Sequence, residues 1–566
     1  MSEPRGLEGG LTNYGDAAFS AYLRRSFARS MGYSSAMLKK PVVGITWTAS
    51  GFNNCHRGVP ELIEAVKRGV LAAGALPLDF PVISLGEVYL NPTSLMFRNL
   101  MAMDVEEMIR AQPMDAVVLV GGCDKTVPAL LMGAASAGKP AILLVTGPMS
   151  TGRYQGERLG ACTDCRRFWA QYRAGRLDEA GIGRIEQNLA TTEGTCAVMG
   201  TASTMAILGE TLGLMLPGSA AIPAVHADRL RAAEASGRRA VELIGSELTI
   251  DRIVTRGSLE NALRVLLAVG GSTNAVVHLT ALAGRLGLGL PLELLNRLSE
   301  ETPVLVDLKP TGDNYMEDFH AAGGVPAVLR RLADRLDRDT RTITGERLDE
   351  WIAAADPWLD PGIIRPIDKP IQAEGGLVAL FGSLAPHGAL VKRAAADPAM
   401  FEREGRAVVF ASLQDLARRI DDPALDVAAD DFLVLQHAGP KACGMPEAGY
   451  LPIPAKLARA GVKDMVRISD ARMSGTAFGT VVLHVSPEAA AGGPLGLVRS
   501  GDRIRLSVRG HRLDLLVPDD ELARRRATYR PAVLVDGTRG WARLYREHVL
   551  GPEHGCDLDF LQRRPT

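Results

Sequence analysis

The feature that most constrains this chain is an alternation between residues 41 and 147. Short β-branched or aliphatic runs, each stopping at a glycine or polar turn, are separated by segments of helical character. "PVVGITWT" (Pro41 to Thr48) leads into "ELIEAVKRGVLAAG", "DAVVLVGG" leads into "PALLMGAASAG", and "AILLVTG" follows. A buried apolar run that ends in Gly-Gly and restarts with helical period predicts a parallel strand turning into its crossover helix. Repetition of the unit predicts a parallel, helix-covered sheet. The turns at the carboxyl ends of such strands share one edge, and open α/β folds bind ligands there.

Helical stretches around Leu259 to Leu286 and Ala327 to Leu336 continue this part of the chain. The pattern then breaks at "IIRPIDKPIQAEGGL" (Ile363 to Leu377), which is rich in Pro and Gly and lacks helical period. Beyond it strands dominate: "AVVFAS", "DFLVLQ", "MVRIS" and "TVVLHVS". In "RIRLSVRGHRLDLLV" (Arg503 to Val517), Ile504, Leu506 and Val508 alternate, the chain turns at Gly510, and Leu513, Leu515 and Val517 alternate again, which predicts a hairpin. At 566 residues the chain exceeds one hydrophobic core. The expectation is an α/β protein with a polar, turn-rich N-terminal arm (residues 1–38) packed on a neighbouring subunit. An α/β domain with a parallel helix-covered sheet (residues 39–365) and a β-rich, barrel-like C-terminal domain (residues 366–566) follow it.

The formal charge of -1 leaves no footprint for nucleic acid or an anionic membrane. The start "MSEPRGLEGGLTNYGD" has no apolar segment after its charges, so a cytoplasmic protein is expected. The charge-free stretch Val265 to Gly284 carries Gly270, Gly271, Ser272, Thr273, Asn274 and His278 at its centre. Those residues predict elements interrupted by a polar turn, not a membrane span. The cysteines, an odd seven spread over the whole length, fit a reducing compartment and thiolate chemistry better than a disulfide framework.

In "VGGCDKTVPALL" a thiol, a carboxylate and an amine (Cys123, Asp124, Lys125) stand together at a strand end. They can be a nucleophile, a metal site, or a polar turn with an Asp124–Lys125 ion pair. Cys55 in "GFNNCHRGVPEL" and Cys196 in "TTEGTCAVMGTASTM" share the context of Cys123, a turn just before a helix. Helix N-termini favour thiolates, so the three can hold iron or an iron-sulfur cluster; three buried structural cysteines, or a nucleophile assisted by His56, are the alternatives. Cys162 and Cys165 form a C-x-x-C with no second pair and no histidines at zinc-finger spacing, and read as helix-face or loop thiols. Glu87, Asp124 and Glu447 lie in Gly- or Pro-framed loops that suit an oxygen-ligated divalent ion or simple solvation. Ser474, followed by Thr476 in "SDARMSGTAFG", can be an exposed nucleophile or base, or only satisfy its turn.

Taken in order, "NNCH", "GGCDKTVPALLMGA", "EGTCAVMGTASTM", "GGSTNAVVHL", "GMPE" and "SDARMSGTAFG" resemble the dihydroxy-acid and sugar-acid dehydratase family, the group that includes 6-phosphogluconate dehydratase. The match runs from "KKPVVGITWT" to "GPEHGCDLDFL". The resemblance implies that Cys55, Cys123 and Cys196 ligate a 2Fe-2S cluster. It implies Mg²⁺ held by Glu87, Asp124, Glu447 and an N-carboxylated Lys125, with Ser474 as the base and Thr476 as an auxiliary hydrogen-bonding group. "GERLGACTDCRRFWAQYRAGRLDE" (Gly156 to Glu179) looks like the sugar-acid branch, which implies dehydration of an aldonate such as L-arabinonate or D-xylonate to a 2-keto-3-deoxy acid. Arg166, Arg167, Tyr172 and Arg173 there are candidate readers of sugar hydroxyls. The branched-chain dihydroxy-acid dehydratase is the alternative activity, and a non-catalytic iron-sulfur sensor or a cysteine hydrolase are the alternatives outside the family. A homodimer or homotetramer is implied. Ala442 and Cys443 depart from the Gly and Pro usual before the match to Glu447.

Overall fold

The computed structural model describes residues 5–11, 13–532 and 537–563. Its first sheet consists of β1 (Val42–Trp47), β2 (Leu76–Pro81), β3 (Ala116–Val120) and β4 (Ala141–Leu144), all parallel, in the order β2-β1-β3-β4. The apolar runs read from the sequence are β1, β3 and β4, and β2 is a strand the pattern did not mark. β3 and β4 are buried along their whole length, because helices cover both faces of a parallel sheet and leave no solvent side. Helices Val59–Ala72 and Ala227–Glu242 pack together, as do Ser94–Ala111 and Thr126–Ala137. The hairpin β5 (Gly152–Tyr154) and β6 (Glu157–Leu159) introduces helix Thr163–Arg173. The charge-free stretch becomes the end of helix Arg256–Ala268, a polar turn, and helix Asn274–Arg285. Among the described residues no helix is long and apolar enough to cross a membrane.

The second sheet has eight strands in the order β14-β13-β9-β10-β11-β12-β8-β7. They are β7 (Val378–Leu380), β8 (Gly388–Val391), β9 (Glu402–Phe410), β10 (Phe432–Leu435), β11 (Arg467–Ser469), β12 (Val481–Ser486), β13 (Arg503–Ser507) and β14 (Arg512–Leu515). β9 through β12 run parallel, and the flanking pairs are antiparallel. Phe381 beyond β7 accepts from the Leu513 amide and donates to the His511 carbonyl, so the two edge strands meet and the sheet is nearly a closed barrel. Closure removes the exposed edges that an open sheet would present. The predicted hairpin is β13–β14, with Ile504 opposite Leu515 and Leu506 opposite Leu513.

Strand alternation sorts the two faces of the barrel. Val378, Leu380, Val409, Val434, Ile504 and Leu513 fill its interior. Ala379 and Leu390, on the other face, join the large core of the first sheet. The N-terminal region holds short 3-10 turns and one longer helix. A single 14-residue helix, Ala17–Ser30, is capped by Asp16, and Leu7 and Leu38 on either side are buried in the first core. That helix leaves Phe19, Tyr22 and Phe27 exposed.

Candidate active site

Each predicted ligand stands beyond the carboxyl end of a strand. After β1 the chain forms a short helical turn, Asn54–His56, which carries Cys55 into helix Val59–Ala72. After β3 come Gly121, Gly122, Cys123, Asp124 and Lys125, then helix Thr126–Ala137. Beyond β4, the Thr195 amide donates to the Gly147 carbonyl and the Thr195 carbonyl accepts from the Met149 amide. These bonds draw Cys196 to the same edge before helix Thr201–Thr211.

His56 fastens two of the turns together. Its Nε2 accepts from the amides of Gly122 (2.9 Å) and Cys123 (3.1 Å), so that nitrogen carries no proton. Its Nδ1 then donates to the Thr48 carbonyl at 2.9 Å. Burial pushes the imidazole down to about 4, which keeps it neutral. His56 is a positioning residue here, and the nucleophile-assisting role weighed from its position beside Cys55 has no geometry in its favour. Gly122 is required at the turn, since a Cβ there would stand 1.9 Å from the Thr146 hydroxyl.

The thiols come as two pairs. Contact with Cys123, then burial, push the Cys55 thiol well above its ordinary range. The second pair is Cys196 and Cys162, whose sulfurs are 3.6 Å apart. Hydrogen bonding with Cys165 and Cys196 holds Cys162 well below the usual thiol range. The sequence grouped Cys162 with Cys165 as helix-face or loop thiols; Cys165 lies in helix Thr163–Arg173 with its sulfur donating to the Cys162 carbonyl at 2.6 Å, and Cys162, at the start of that helix, also touches Cys196. Among the described residues no three Cys, His, Asp or Glu side chains close around one point as they would for a single ion.

The carboxylates form a second group. Glu87 Oε2 accepts from Lys125 Nζ at 3.2 Å, Asp124 Oδ2 is 3.8 Å from the same amine, and Lys125 is fully buried. Arg472 bridges from the barrel, donating to Glu87 Oε1 at 2.8 Å and to Glu447 Oε1 at 2.5 Å. Burial opposes the Glu87 charge, yet the cations of Lys125 and Arg472 and the Ser94 hydroxyl outweigh it and hold the carboxyl well below the usual range. At Asp124 burial prevails, and the negative charges of Glu87 and Glu447 add to it against Lys125, lifting its carboxyl to about 7. Arg472 went unnoticed in the sequence although it lies in "SDARMSG". Ala442 and Cys443 fall in a buried helical turn, Pro440–Cys443, closed by Gly444 at φ 76°, so the loop before Glu447 is well formed.

Ser474 lies in the loop after β11, with its Oγ 2.8 Å from the Thr476 hydroxyl. Thr163, beside Cys162, donates to the Thr476 carbonyl at 3.0 Å. Asn274 of "GGSTNAVVHL" donates to the Met473 carbonyl at 3.0 Å. A Cβ on Gly475 would lie 2.6 Å from Ser272 Cβ and 2.9 Å from the Thr201 amide, so only glycine lets this loop seat against the first half of the molecule. The fully buried Lys392 donates to the Gly475 carbonyl at 2.9 Å, and burial pushes its amine down to about 7.

Of the four candidate sugar readers, Arg167 is engaged by Glu157 and Asp164, Arg173 by Asp421 and Ile453, and Tyr172 lies against Trp169. Arg166 lies over the Tyr450 ring at 5.2 Å with a buried Nε that has no hydrogen-bond partner. It lines a cavity of about 890 Å³ together with Cys165, Trp169, Tyr450 and Phe478.

The strand ends of the two sheets present thiols, carboxylates and a serine. Residues 40–351 match the family described as dihydroxy-acid/6-phosphogluconate dehydratase N-terminal, and residues 362–556 match its C-terminal counterpart. The chain is 47% identical to the L-arabonate dehydratase of Azospirillum brasilense over 96% of its own length and 94% of that protein's. It is 45% identical to the 6-deoxy-6-sulfo-D-gluconate dehydratase of Pseudomonas putida, covering 92% and 91%. Identity to the dihydroxy-acid dehydratase 1 of Methanosarcina acetivorans is 40%, covering 90% and 93%. The chain belongs to the dihydroxy-acid/6-phosphogluconate dehydratase family. It is an enzyme of the hydro-lyase type, nearer to these sugar-acid members than to that dihydroxy-acid dehydratase.

Proposed function

We propose that this chain dehydrates a sugar acid, removing water across C2 and C3 of an aldonate to give a 2-keto-3-deoxy acid, with a 2Fe-2S cluster and Mg²⁺ as cofactors. Cys55, Cys123 and Cys196 would hold the cluster. Their arrangement in turns at helix N-termini fits it. Glu87, Asp124 and Glu447 would hold Mg²⁺, since these carboxylates gather around Lys125 and Arg472. Lys125 would join them as an N-carboxylated side chain, which turns the amine beside Glu87 and Asp124 into an oxygen ligand. When bound, these two groups supply Lewis-acid stabilisation of charge on the substrate's oxygens.

The remaining work belongs to the chain's own side chains. Ser474 takes the proton from C2, the Thr476 hydroxyl donates to the Ser474 oxygen while that oxygen is anionic, and Lys392 fixes the loop through the Gly475 carbonyl. The seating of the Ser474 loop on the Cys196 and Cys162 segments supports this reading, because it brings the proposed base to the segments that bear two of the thiols. Arg166 would read the distal hydroxyls of the sugar acid, since its Nε is the unpaired donor among the four candidates. An aldonate presents hydroxyls that satisfy such a donor, whereas the alkyl groups of a branched dihydroxy acid do not.

The test is 2-keto acid formation by anaerobically purified protein supplied in turn with L-arabinonate, D-xylonate and 2,3-dihydroxyisovalerate. Turnover of an aldonate ahead of the branched acid is expected. A clear preference for 2,3-dihydroxyisovalerate would move the enzyme to the branched-chain activity. Formation of no keto acid from any of the three would remove the dehydratase assignment from these substrates altogether.

A further inference from the structure

The carbonyls of Met473, Ser474, Gly475 and Thr476 all accept hydrogen bonds, and one of their donors is an amine. The Met473 carbonyl takes the Asn274 side chain, the Ser474 carbonyl the Ala477 amide and the Thr476 carbonyl the Thr163 hydroxyl, each at 3.0 Å. The Gly475 carbonyl takes Lys392 Nζ at 2.9 Å. That carbonyl and the Thr476 amide are the two ends of one peptide unit, and the amide donates to Ser474 Oγ at 3.4 Å, beside the Thr476 hydroxyl at 2.8 Å. A cation at the oxygen end of a peptide polarises it and strengthens its N–H as a donor. Lys392, the residue after β8, is fully buried, and among the described residues no carboxylate pairs with it. The charged groups of the elements packed around it are engaged elsewhere: Arg393 with Glu374, Arg467 with Asp464, and Asp164 with Lys309. Glu210 on helix Thr201–Thr211 accepts from the Gly218 and Ala220 amides, His278 on helix Asn274–Arg285 faces Arg98, and His484 on β12 is kept neutral by burial. The Cys162 and Cys196 thiols face each other ahead of the two helices on which the loop rests. A buried cation without a counter-charge is costly, and an anion formed close by relieves that cost.

We propose that Lys392 is the counter-charge of the Ser474 alkoxide, exerted through the Gly475–Thr476 peptide. The proposal rests on the reading of Ser474 as the base and adds to it the residue that lets a serine act as one. Lys392 works through the peptide and is a positioning residue, one that supplies charge as well as a hydrogen bond. Its amine and the Ser474 hydroxyl titrate as a coupled pair. When one proton leaves the pair for solvent, what remains is either a neutral amine with a hydroxyl or an ammonium with an alkoxide, and both forms hold the same number of protons. Burial, which pushes the amine down to about 7, brings that loss to neutral pH. The ammonium–alkoxide form takes the C2 proton. Without the cation the hydroxyl must ionise unaided, far above neutral pH.

The experiment is the pH profile of kcat/KM, with kcat and KM resolved, for anaerobically purified wild type, Lys392→Met, Lys392→Gln and Lys392→Arg acting on L-arabinonate or D-xylonate. The wild-type profile is expected to rise through about 7 and level off. Lys392→Met is expected to lower kcat at neutral pH by roughly 10²-fold, the lower end for a lost oxyanion donor, with KM little changed. Its rate should keep rising with hydroxide and reach no plateau. Lys392→Gln keeps a donor for the Gly475 carbonyl but no charge, and the same loss is expected of it; Lys392→Arg, which stays charged, should restore a plateau. Wild-type kcat and plateau in Lys392→Met, beside a crippled Ser474→Ala, would overturn the proposal and leave Ser474 as the base. Full recovery in Lys392→Gln would also overturn it, making Lys392 a tether of the loop. Near-wild-type turnover in Ser474→Ala would remove the base reading and this proposal together. Should the Lys392 variants fail to fold, the wild-type profile decides, since a rate without an inflection near 7 refutes the coupled pair.

Discussion

Ser474 and Lys125 carry the residue-level consequences, because each is assigned a single chemical act. If Ser474 only removes a proton, Ser474→Ala keeps iron, Mg²⁺ and substrate binding while turnover falls by roughly 10²- to 10⁴-fold, the range typical of a lost general base. Iron content, calorimetric substrate binding and kcat measured on one preparation check it, and near-wild-type turnover would take Ser474 out of the mechanism. Lys125 Nζ, 3.2 Å from Glu87 and 3.8 Å from Asp124, is an ion-pair partner as an amine and a metal ligand as a carbamate. In the second state Mg²⁺ affinity rises with added bicarbonate, ¹³C-bicarbonate yields a carbamate resonance, and Lys125→Met loses the Mg²⁺ site. Unchanged Mg²⁺ affinity in Lys125→Met would establish the ion pair instead.

At the scale of elements, the C-terminal segment braces the loops that hold the site. The Cys556 carbonyl accepts from Arg98 and Asn99, Asp557 is paired with Arg285 at 2.7 Å, and both members of that pair are fully buried. Cys556 also packs with Met445, two residues before Glu447. Removing one partner of a buried pair leaves an uncompensated charge, so Arg285→Met is expected to cost about 3–5 kcal/mol. Arg285→Met combined with Asp557→Leu should recover most of the loss. Urea unfolding followed by tryptophan fluorescence compares the two variants; equal destabilisation by both would show that packing, not charge, governs the contact.

At the scale of the molecule, the exposed aromatic residues of the N-terminal helix ask for a partner. Tyr14, Phe19, Tyr22 and Phe27 lie open, with Tyr14 and Phe19 in edge contact at 5.5 Å. Phe52, Val88 and Tyr89, beside the Cys55 and Glu87 turns, are open as well. Patches of this kind mark interfaces, and a second copy of the chain is the occupant we propose. Light scattering after size exclusion should show a dimer or tetramer, and Tyr22→Glu with Phe27→Glu should lower the mass. A wild-type monomer at micromolar concentration would refute it.

What the sequence by itself determined was local. Strand runs, the turns that follow them, the β13–β14 hairpin and the turns around Cys55, Cys123 and Cys196 were legible because periodicity and turn chemistry act over a few residues. The resemblance to the family added roles for Glu87, Asp124, Lys125, Glu447, Ser474 and Thr476. Tertiary structure alone decided what depends on distant segments meeting. Cys162 looked like the partner of Cys165, three residues away, yet its sulfur lies against Cys196, 34 residues on. His56 was a possible base until its ring nitrogens proved to be spent on Thr48 and the Cys123 turn. Arg472 joins Glu87, 385 residues earlier, to Glu447, and the Lys392 amine bonds to the Gly475 carbonyl. Charge pairing and burial are properties of neighbours in space, and sequence spacing carries no record of which neighbours the two sheets bring together.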